Sequence, residues 1–475
     1  MDIDALRRLG LIGVHRASVM LAAALALAAG ALTPPARADG PPPATDLWER
    51  NKLTGDWGGA RTALSQRGFD ISINYIAETL AIVSGGFRQG ADYEHRIELS
   101  IDTDLDKLLG WKGATTHTTY YQIGHANGLP AAEFVGGVAD PSNIEAVPAT
   151  RLFTAWFQQN FLDDKVSLRV GQIAADDEFL ISSTAGNLIN STFGYATVLA
   201  ANQLQGGPVY PLATPGVRLQ LTPNEEITIL SAVFSGAPAG ANCAQLPQQC
   251  NHYGTTFSTS GGALWMEELQ YGINPIQNGK AMPGTYKLGG WYATTNFTDV
   301  HFGLSATGTV VSLASRASAS PLEHRGDWGI YGVADQIIWR AQKGPQILNA
   351  FLRSGFSPSD RNLVTAYIDG GLGFRGPLPG RGDDVLTIGV AYSRISSDAS
   401  ALDLDTQRAT GAFVPVRDKE IVLELDYSLQ LAPWWAIQAD LQQIVHPGGH
   451  VLDPLNPVQA IQDAFILTGR SAIKF

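Results

Sequence analysis

The chain has 475 residues, of which 45% are hydrophobic and only 16% are charged, and its formal net charge at pH 7 is −12. Soluble domains usually carry about 25% charged residues, so this composition is poor in charge for a water-exposed surface. The negative balance argues against a nucleic-acid partner, which needs a basic surface. No run of roughly 18 apolar residues follows residue 40, which argues against a helical membrane span beyond that point.

The amino terminus predicts a secretory signal peptide over residues 1–38. Arg7, Arg8 and Arg16 precede an apolar run rich in Ala and Leu, and Ala36 and Ala38 supply the small residues that a signal peptidase requires. A membrane anchor is the alternative, but the apolar run is short for that role. The pattern therefore favours export from the cytoplasm.

Two short regions precede the main body of the chain. Residues 39–52 are Pro-rich and predict a linker. In residues 53–68, good helix formers from Ala60 to Gln66 are followed by Gly68, which predicts one short periplasmic helix.

Residues 69–475 alternate polar and apolar side chains with the period of two that is typical of strands. An even number of strands is expected of a bacterial barrel, and sixteen would enclose an aqueous channel. The predicted fold class is all-β, a transmembrane antiparallel β-barrel of about 16 strands, with 284–310 holding one strand or two. The candidate strands are 69–80, 96–102, 114–124, 150–161, 166–171, 216–222, 226–234, 262–272, 284–294, 328–340, 346–356, 363–375, 384–395, 421–431, 434–446 and 463–475.

The connections between these strands alternate in length. Short breaks such as 162–165 and 222–225 predict tight periplasmic turns, and the long segments 125–149, 174–215, 235–261 and 396–419 predict external loops. A soluble sandwich or propeller would have more even connections. Cys243 and Cys250 lie in one long segment, where a small disulfide is favoured over a zinc site.

The last strand, 463–475, predicts how the barrel closes. One face carries Leu467 and ends at Phe475, whereas the other carries Arg470 and Lys474, which cannot face lipid without a large cost. We expect this strand to pair with the first one, and we expect Arg470 to lie near the middle of the wall.

Residues 53–61 (Leu-Thr-Gly-Asp-Trp-Gly-Gly-Ala-Arg), the 420–434 strand with the following His-Pro-Gly-Gly at 446–449, and the 367–376 stretch resemble the carbohydrate-selective porins of the OprB family. The resemblance implies a bacterial outer-membrane porin that passes sugars by diffusion, without a cofactor. It also implies that the barrel-assembly machinery recognises Phe475. Expected partners are small-molecule sugars and outer-membrane lipid, and the state can be a monomer or a homo-oligomer.

Polar residues on the inward faces are the candidates for the pore lining. Carboxylates accept hydrogen bonds from sugar hydroxyls, Arg donates them, and an aromatic face can meet the C–H face of a pyranose. The long segment 174–215 is a candidate to fold inward and narrow the channel. The alternative is that paired lumen charges only brace the wall. The predicted lining residues are Arg96, Glu98, Trp156, Arg169, Glu424, Asp426, Asp440 and Arg470.

Two other functions remain open from the sequence. A general or ion-selective diffusion porin would use the same mixed charges. A barrel enzyme of the lipase type would need a pair such as His117 and Ser167 to converge. The nine histidines have no metal-ligand spacing, and Gly371-x-Gly-x-x-Gly376 continues into proline instead of a helix, so neither a metal nor a nucleotide is expected.

Overall fold

The computed structural model describes residues 46–126, 131–273 and 282–475. The predicted signal peptide and residues 39–45 of the predicted linker lie outside the described residues. Among the residues that the model describes, every helix is too short or too polar to cross a membrane.

The described chain is dominated by long antiparallel strands, with short helices in the connections. The strands are β1 (Phe69–Gly86), β2 (Gly90–Asp104), β3 (Ala114–His125), β4 (Ala149–Phe161), β5 (Val166–Ile173), β6 (Thr214–Leu221), β7 (Ile227–Ser235), β8 (Ala263–Ile273), β9 (Gly284–Ser305), β10 (Val310–Ser312), β11 (Ser318–Arg340), β12 (Ile347–Phe356), β13 (Val364–Arg375), β14 (Val385–Ile395), β15 (Lys419–Ala432), β16 (Trp435–Val445) and β17 (Gln462–Lys474). The helices are α1 (Ala60–Gln66), α2 (Leu105–Leu109), α3 (Ala132–Val135), α4 (Ser191–Gly194), α5 (Thr197–Ala200), α6 (Pro247–Cys250), α7 (Ser397–Thr410) and α8 (Pro447–His450).

Sixteen of the described strands form a closed ring in which each strand pairs with its chain neighbours. β10 runs antiparallel to the end of β9 through only three residue pairs and is not counted in the ring, because β9 also pairs directly with β11. The ring closes where β1 pairs with β17, with Glu78 opposite Arg470. The predicted sixteen-stranded barrel and its closing strand are confirmed, and 284–310 holds one long strand followed by the short β10.

The predicted alternation between lipid and lumen is clearest in β15. Leu423 and Leu425 are 41% and 40% exposed, whereas Glu424 and Asp426 are 2% and 0% exposed. Because successive strand residues point to opposite faces, the leucines lie on the outer surface and the carboxylates point inward. This strand therefore presents an apolar surface outward and carboxylates to the lumen.

Connections of different length lie at opposite ends of the barrel. At the end of the barrel where β17 finishes, the connections are short turns, such as residues 162–165 and 433–434. At the opposite end the connections include the long loops. One of these long loops contains the disulfide between Cys243 and Cys250. The short helix α1 also forms as expected.

The segment 396–419 was predicted only as an external loop, and the structure adds the 14-residue helix α7 within it. The side chain of Ser396 accepts hydrogen bonds from the backbone N–H groups of Asp398 and Ala399, and Gly411 ends the helix with a φ of 70°. These are ordinary start and stop signals. The helix lacks a wide apolar stripe, which is why periodicity did not indicate it.

Residues 174–213, here called the inward loop, connect β5 to β6 and pack against the inner wall. Phe179, Leu188 and Phe193 are buried, and the ring of Phe193 meets that of Phe351 edge to face at 6.2 Å between centroids. The apolar core of the molecule thus lies inside the barrel, between this loop and the wall. The predicted inward folding of 174–215 agrees with this arrangement.

Candidate functional site

The lumen face of β2 carries the first two predicted lining residues. Arg96 lies 3.5 Å from Glu98, and the two side chains keep 15% and 21% of their surface exposed. The guanidinium of Arg96 also lies over the rings of Tyr121 and Tyr210, at 4.7 and 5.1 Å from their centroids. Glu98 accepts a hydrogen bond from Asn74 at 2.9 Å. Arg96 and Glu98 are therefore held in place by protein contacts, and their side chains remain partly exposed.

Trp156 stands in a row of stacked side chains on three adjacent strands. The imidazole of His117 on β3 stacks on it at 4.9 Å between centroids, and the guanidinium of Arg169 on β5 lies 3.7 Å from its ring centroid. Because strands on both sides supply a stacking partner, Trp156 positions Arg169 more than it offers a free face to a ligand.

Arg169 is the centre of a network that reaches the inward loop. Its Nε and one terminal nitrogen donate to the side-chain oxygen of Gln158 at 3.0 and 2.8 Å, and the other terminal nitrogen pairs with Glu178. Glu178 also pairs with Arg218 at 3.2 Å, and Arg218 donates to the same Gln158 oxygen at 3.0 Å. Arg169 keeps 17% of its surface exposed, whereas Arg218 is nearly fully buried.

The inward loop adds a carboxylate to this region. Asp177 is exposed to water inside the barrel. Enclosure by the surrounding protein, followed by the charges of Asp176 and Glu178, raises the pKa of Asp177 to about 7. Its charge therefore changes in the physiological pH range.

Glu424 and Asp426 are covered by the inward loop. Glu424 accepts hydrogen bonds from the backbone N–H groups of Ile189 and Asn190, the second at 3.1 Å. Asp426 accepts from the amide of Gln438 at 3.2 Å. These carboxylates point inward as predicted, but they bind the loop and the wall instead of meeting open lumen.

Asp440 and Arg470 are also buried, and both side chains bind protein groups. Asp440 accepts a hydrogen bond from Gln442 at 2.9 Å. Arg470 donates to Glu78 at 2.7 Å and to Asn143, in the connection between β3 and β4, at 2.8 Å. Arg470 does lie on the wall as predicted, but its charge is paired and only 7% of the residue is exposed.

His117 and Ser167, the pair considered for a lipase-type reaction, have separate partners. The two imidazole nitrogens of His117 face Asp102 at 2.6 Å and the Thr119 hydroxyl at 2.7 Å. The Ser167 hydroxyl accepts a hydrogen bond from Arg218 at 3.1 Å. The described contacts therefore contain no nucleophile–base bond between these two residues.

The fold also gathers potential metal ligands that have no recognisable spacing in the sequence. Two sets of three side chains each bring their ligand atoms within 4.8 Å of one another. They form by strand pairing and loop return, so sequence spacing gave no signal for them. The sets are Asp92, Glu94 and His125, and Asp418, His446 and His450.

The family model "Carbohydrate-selective porin, OprB family" matches residues 88–475. The chain belongs to this family. An OprB-family porin of this architecture is a passive channel and not an enzyme, and it lies in the bacterial outer membrane. The function of this chain is therefore the passive diffusion of sugars through the barrel lumen.

Relatives of this OprB-family chain are similar over most of their length. Porin B of Pseudomonas aeruginosa is 24% identical over 414 residues, which is 84% of this chain and 87% of that protein. The putative porin QuiX of Acinetobacter baylyi is 21% identical over 455 residues, covering 89% of this chain and 93% of that protein. The high-pH structure of Pseudomonas putida OprB aligns with a TM-score of 0.77 at 22% identity, over 90% of this chain and 99% of that chain.

The sequence did not indicate every residue of the site. Arg218 was missed, although it lies on the inward face of a predicted strand and could have been found by alternation. Glu178 was visible only as part of an acidic start to a long loop. Its contact with two arginines depends on how that loop turns, which strand periodicity does not describe.

Proposed function

We propose that sugars cross this porin along the lumen wall formed by β2–β5, and that Arg96, Glu98 and Arg169 supply the hydrogen bonds. The observation that carries the proposal is a division among the predicted lining residues. The side chains of Arg96, Glu98 and Arg169 stay 15%, 21% and 17% exposed, whereas Glu424, Asp426, Asp440 and Arg470 are almost fully buried. A solute can meet only the groups that water can reach.

The chemistry of this wall suits polyhydroxylated solutes. Arg96 and Arg169 donate hydrogen bonds and Glu98 accepts them, so a sugar can exchange part of its hydration shell for these contacts. Each of the three already has a protein partner, which weakens any single sugar contact. Weak and repeated contacts favour passage over retention. Trp156 supports Arg169 by stacking.

Current blockade in planar bilayers tests this proposal. We expect glucose-type sugars to block the ion current, and we expect Arg169→Gln to raise the half-blocking concentration by roughly tenfold, equivalent to about 1.4 kcal/mol. The matched control is Arg375→Gln, because Arg375 at the end of β13 forms an exposed pair with Asp383. Failure of sugars to block the wild-type current would favour a general diffusion pore. If Arg169→Gln and Arg375→Gln raised the half-blocking sugar concentration equally, the assigned pathway would be contradicted.

We further propose that Phe475 is the residue through which the barrel-assembly machinery recognises the chain. Supporting contacts place it at the seam of the barrel, where its N–H donates to the carbonyl of Ile73 at 2.9 Å and its carbonyl accepts from Arg61 at 3.0 Å. Deletion of Phe475 should lower the amount of folded barrel in the outer membrane and leave refolding of the purified chain intact. The control Arg61→Ala should change neither the amount of folded barrel in the membrane nor the refolding of the purified chain. If deletion of Phe475 lowered refolding as much as it lowered the amount in the membrane, Phe475 would have a structural role instead.

The domain division is also a proposal. Residues 1–38 act as a removable signal peptide, 39–52 as a linker, 53–68 as the periplasmic helix region and 69–475 as the barrel. The start of β1 at Phe69 supports the last boundary. Mass determination of the chain extracted from the outer membrane tests the first, and a chain that still carries residues 1–38 would contradict it.

A further inference from the structure

A buried group of metal-ligand residues lies near the long-loop end of the barrel, on β2 and β3. Asp92 and Glu94 are two positions apart, so both lie on the lumen face of β2. His125 is the last residue of β3 and lies directly opposite Glu94. The side chains of all three are nearly inaccessible to solvent. Their ligand atoms lie within 4.8 Å of one another.

The protonation of His125 is constrained by its second nitrogen. Nε2 lies 2.6 Å from the carbonyl oxygen of Ala146, which can only accept, so Nε2 carries the hydrogen. In the neutral imidazole the Nδ1 lone pair then faces Asp92 Oδ2 at 3.1 Å and Glu94 Oε2 at 3.3 Å. Donation of the other ring N–H to a backbone carbonyl is the usual way in which a metal-bound histidine is oriented.

The described residues donate too few hydrogen bonds to these two carboxylates to offset the cost of burying them. Asp92 Oδ1 and both oxygens of Glu94 are buried and accept no hydrogen bond from the described residues. Across the strand pair, Glu94 faces Glu78, whose charge is already paired with Arg470. The two carboxylates share one facing nitrogen, Nδ1 of His125. Buried carboxylates with so little compensation are costly, and like charges opposite each other add to that cost. A cation at this position would remove both penalties.

We propose that Asp92, Glu94 and His125 bind a divalent transition-metal ion of the zinc class. In a tetrahedral zinc site with bonds of about 2.0–2.1 Å, neighbouring ligand atoms are separated by roughly 3.3 Å. The two Nδ1–oxygen distances of 3.1 and 3.3 Å agree with that separation. Calcium and magnesium prefer oxygen ligands, so the imidazole favours zinc over both.

The ion would join the wall to the connection between β3 and β4. Ala146 lies in this connection, and the neighbouring Glu145 accepts a hydrogen bond from the backbone N–H of Ala132. Metal binding would therefore fix the base of the loop that also supplies Asn143 to Arg470. We assign the ion a structural role, because its ligands are closed off from the lumen.

Calorimetric titration of the purified full-length chain tests the site. After treatment with a chelator, the wild-type barrel should bind one zinc ion here, with calcium chloride as the comparison ion. His125→Asn and Glu94→Gln should each weaken zinc binding at least tenfold. The matched control is the double variant His446→Asn/His450→Asn, which removes the other described cluster and should leave this binding event unchanged.

Several results would overturn the assignment. These are an absence of zinc binding by the wild-type chain, tighter binding of calcium than of zinc, or unchanged zinc affinity in His125→Asn. If the variants do not fold, as judged by the electrophoretic shift of the unheated barrel, anomalous diffraction at the zinc edge of the wild-type protein decides. A peak beside Nδ1 of His125 supports the site, and a peak elsewhere or no peak contradicts it.

Discussion

The lumen faces of β2–β5 and of β15–β17 carry similar residue types but differ in what covers them. On β2–β5, Arg96, Glu98 and Arg169 are paired and still reach water. On β15–β17, Glu424 and Arg470 are sealed by loops that return into the barrel. The difference teaches that an inward-facing charge lines the pore only where the returning loops leave part of its side chain exposed. Arg96 and Arg169 stay partly exposed although Tyr210 and Glu178 of the inward loop contact them. We therefore propose that the covered arc, β15–β17, anchors the structure and that the open arc, β2–β5, carries solute.

The largest expected effect is a loss of stability when the buried arginine that holds the inward loop to the wall, Arg353, is replaced. Arg353 is fully buried, pairs with Asp369, and donates to the carbonyls of Thr192 and Gly194 at 2.9 and 3.2 Å. Arg353→Met leaves a buried carboxylate and should lower the free energy of unfolding by roughly 3–5 kcal/mol. Denaturant unfolding in lipid bilayers measures this.

Arg375→Met is the matched control for Arg353→Met. It removes another Arg–Asp pair, with Asp383, but both side chains are largely exposed. Its cost should be about 0–1 kcal/mol. Equal destabilisation by the two variants would contradict the view that the inward loop depends on Arg353.

A second anchor, Arg470, should also behave as a structural residue. Arg470→Ala leaves Glu78 buried without its cation, so we expect a loss of stability of roughly 3 kcal/mol. The double variant Arg470→Met/Glu78→Gln should recover part of that loss. Unchanged stability with altered sugar block would instead make Arg470 a pore-lining cation, as the sequence alone suggested.

Strand periodicity was sufficient for the barrel and for the direction in which its charges point. Glu424 follows Leu423 on an alternating strand, and the structure buries it on the lumen side. Periodicity could not distinguish Glu424 from Glu98, because the difference lies in the backbone N–H groups of Ile189 and Asn190. Those groups come from a loop more than 200 residues away in the chain. Loop packing depends on such distant contacts and has no local signal.

On the open arc, the supporting role of Trp156 can be separated from direct binding. Trp156→Leu removes the stacking beneath Arg169 and should raise the half-blocking sugar concentration by roughly threefold to fivefold, about 0.5–1 kcal/mol. Arg169→Gln should have the larger effect. If Trp156→Leu had the larger effect, a sugar would be stacking on the indole itself.

The smallest expected effect is a pH dependence of ion selectivity. Because the pKa of Asp177 is raised to about 7, its carboxyl gains a negative charge as the pH rises through that value. Cation preference, measured as the reversal potential in a salt gradient, should therefore increase between about pH 6 and about pH 8. Asp177→Asn should reduce this change. An identical change in the variant would assign the titration to another group.

A crystal structure with a bound saccharide tests the central claim most directly. We expect sugar density within hydrogen-bonding distance of Arg96, Glu98 or Arg169, with the inward loop still bound to Glu424. Sugar density beside Asp426 or Asp440, with the inward loop displaced from the wall, would contradict the assignment of an open and a covered arc.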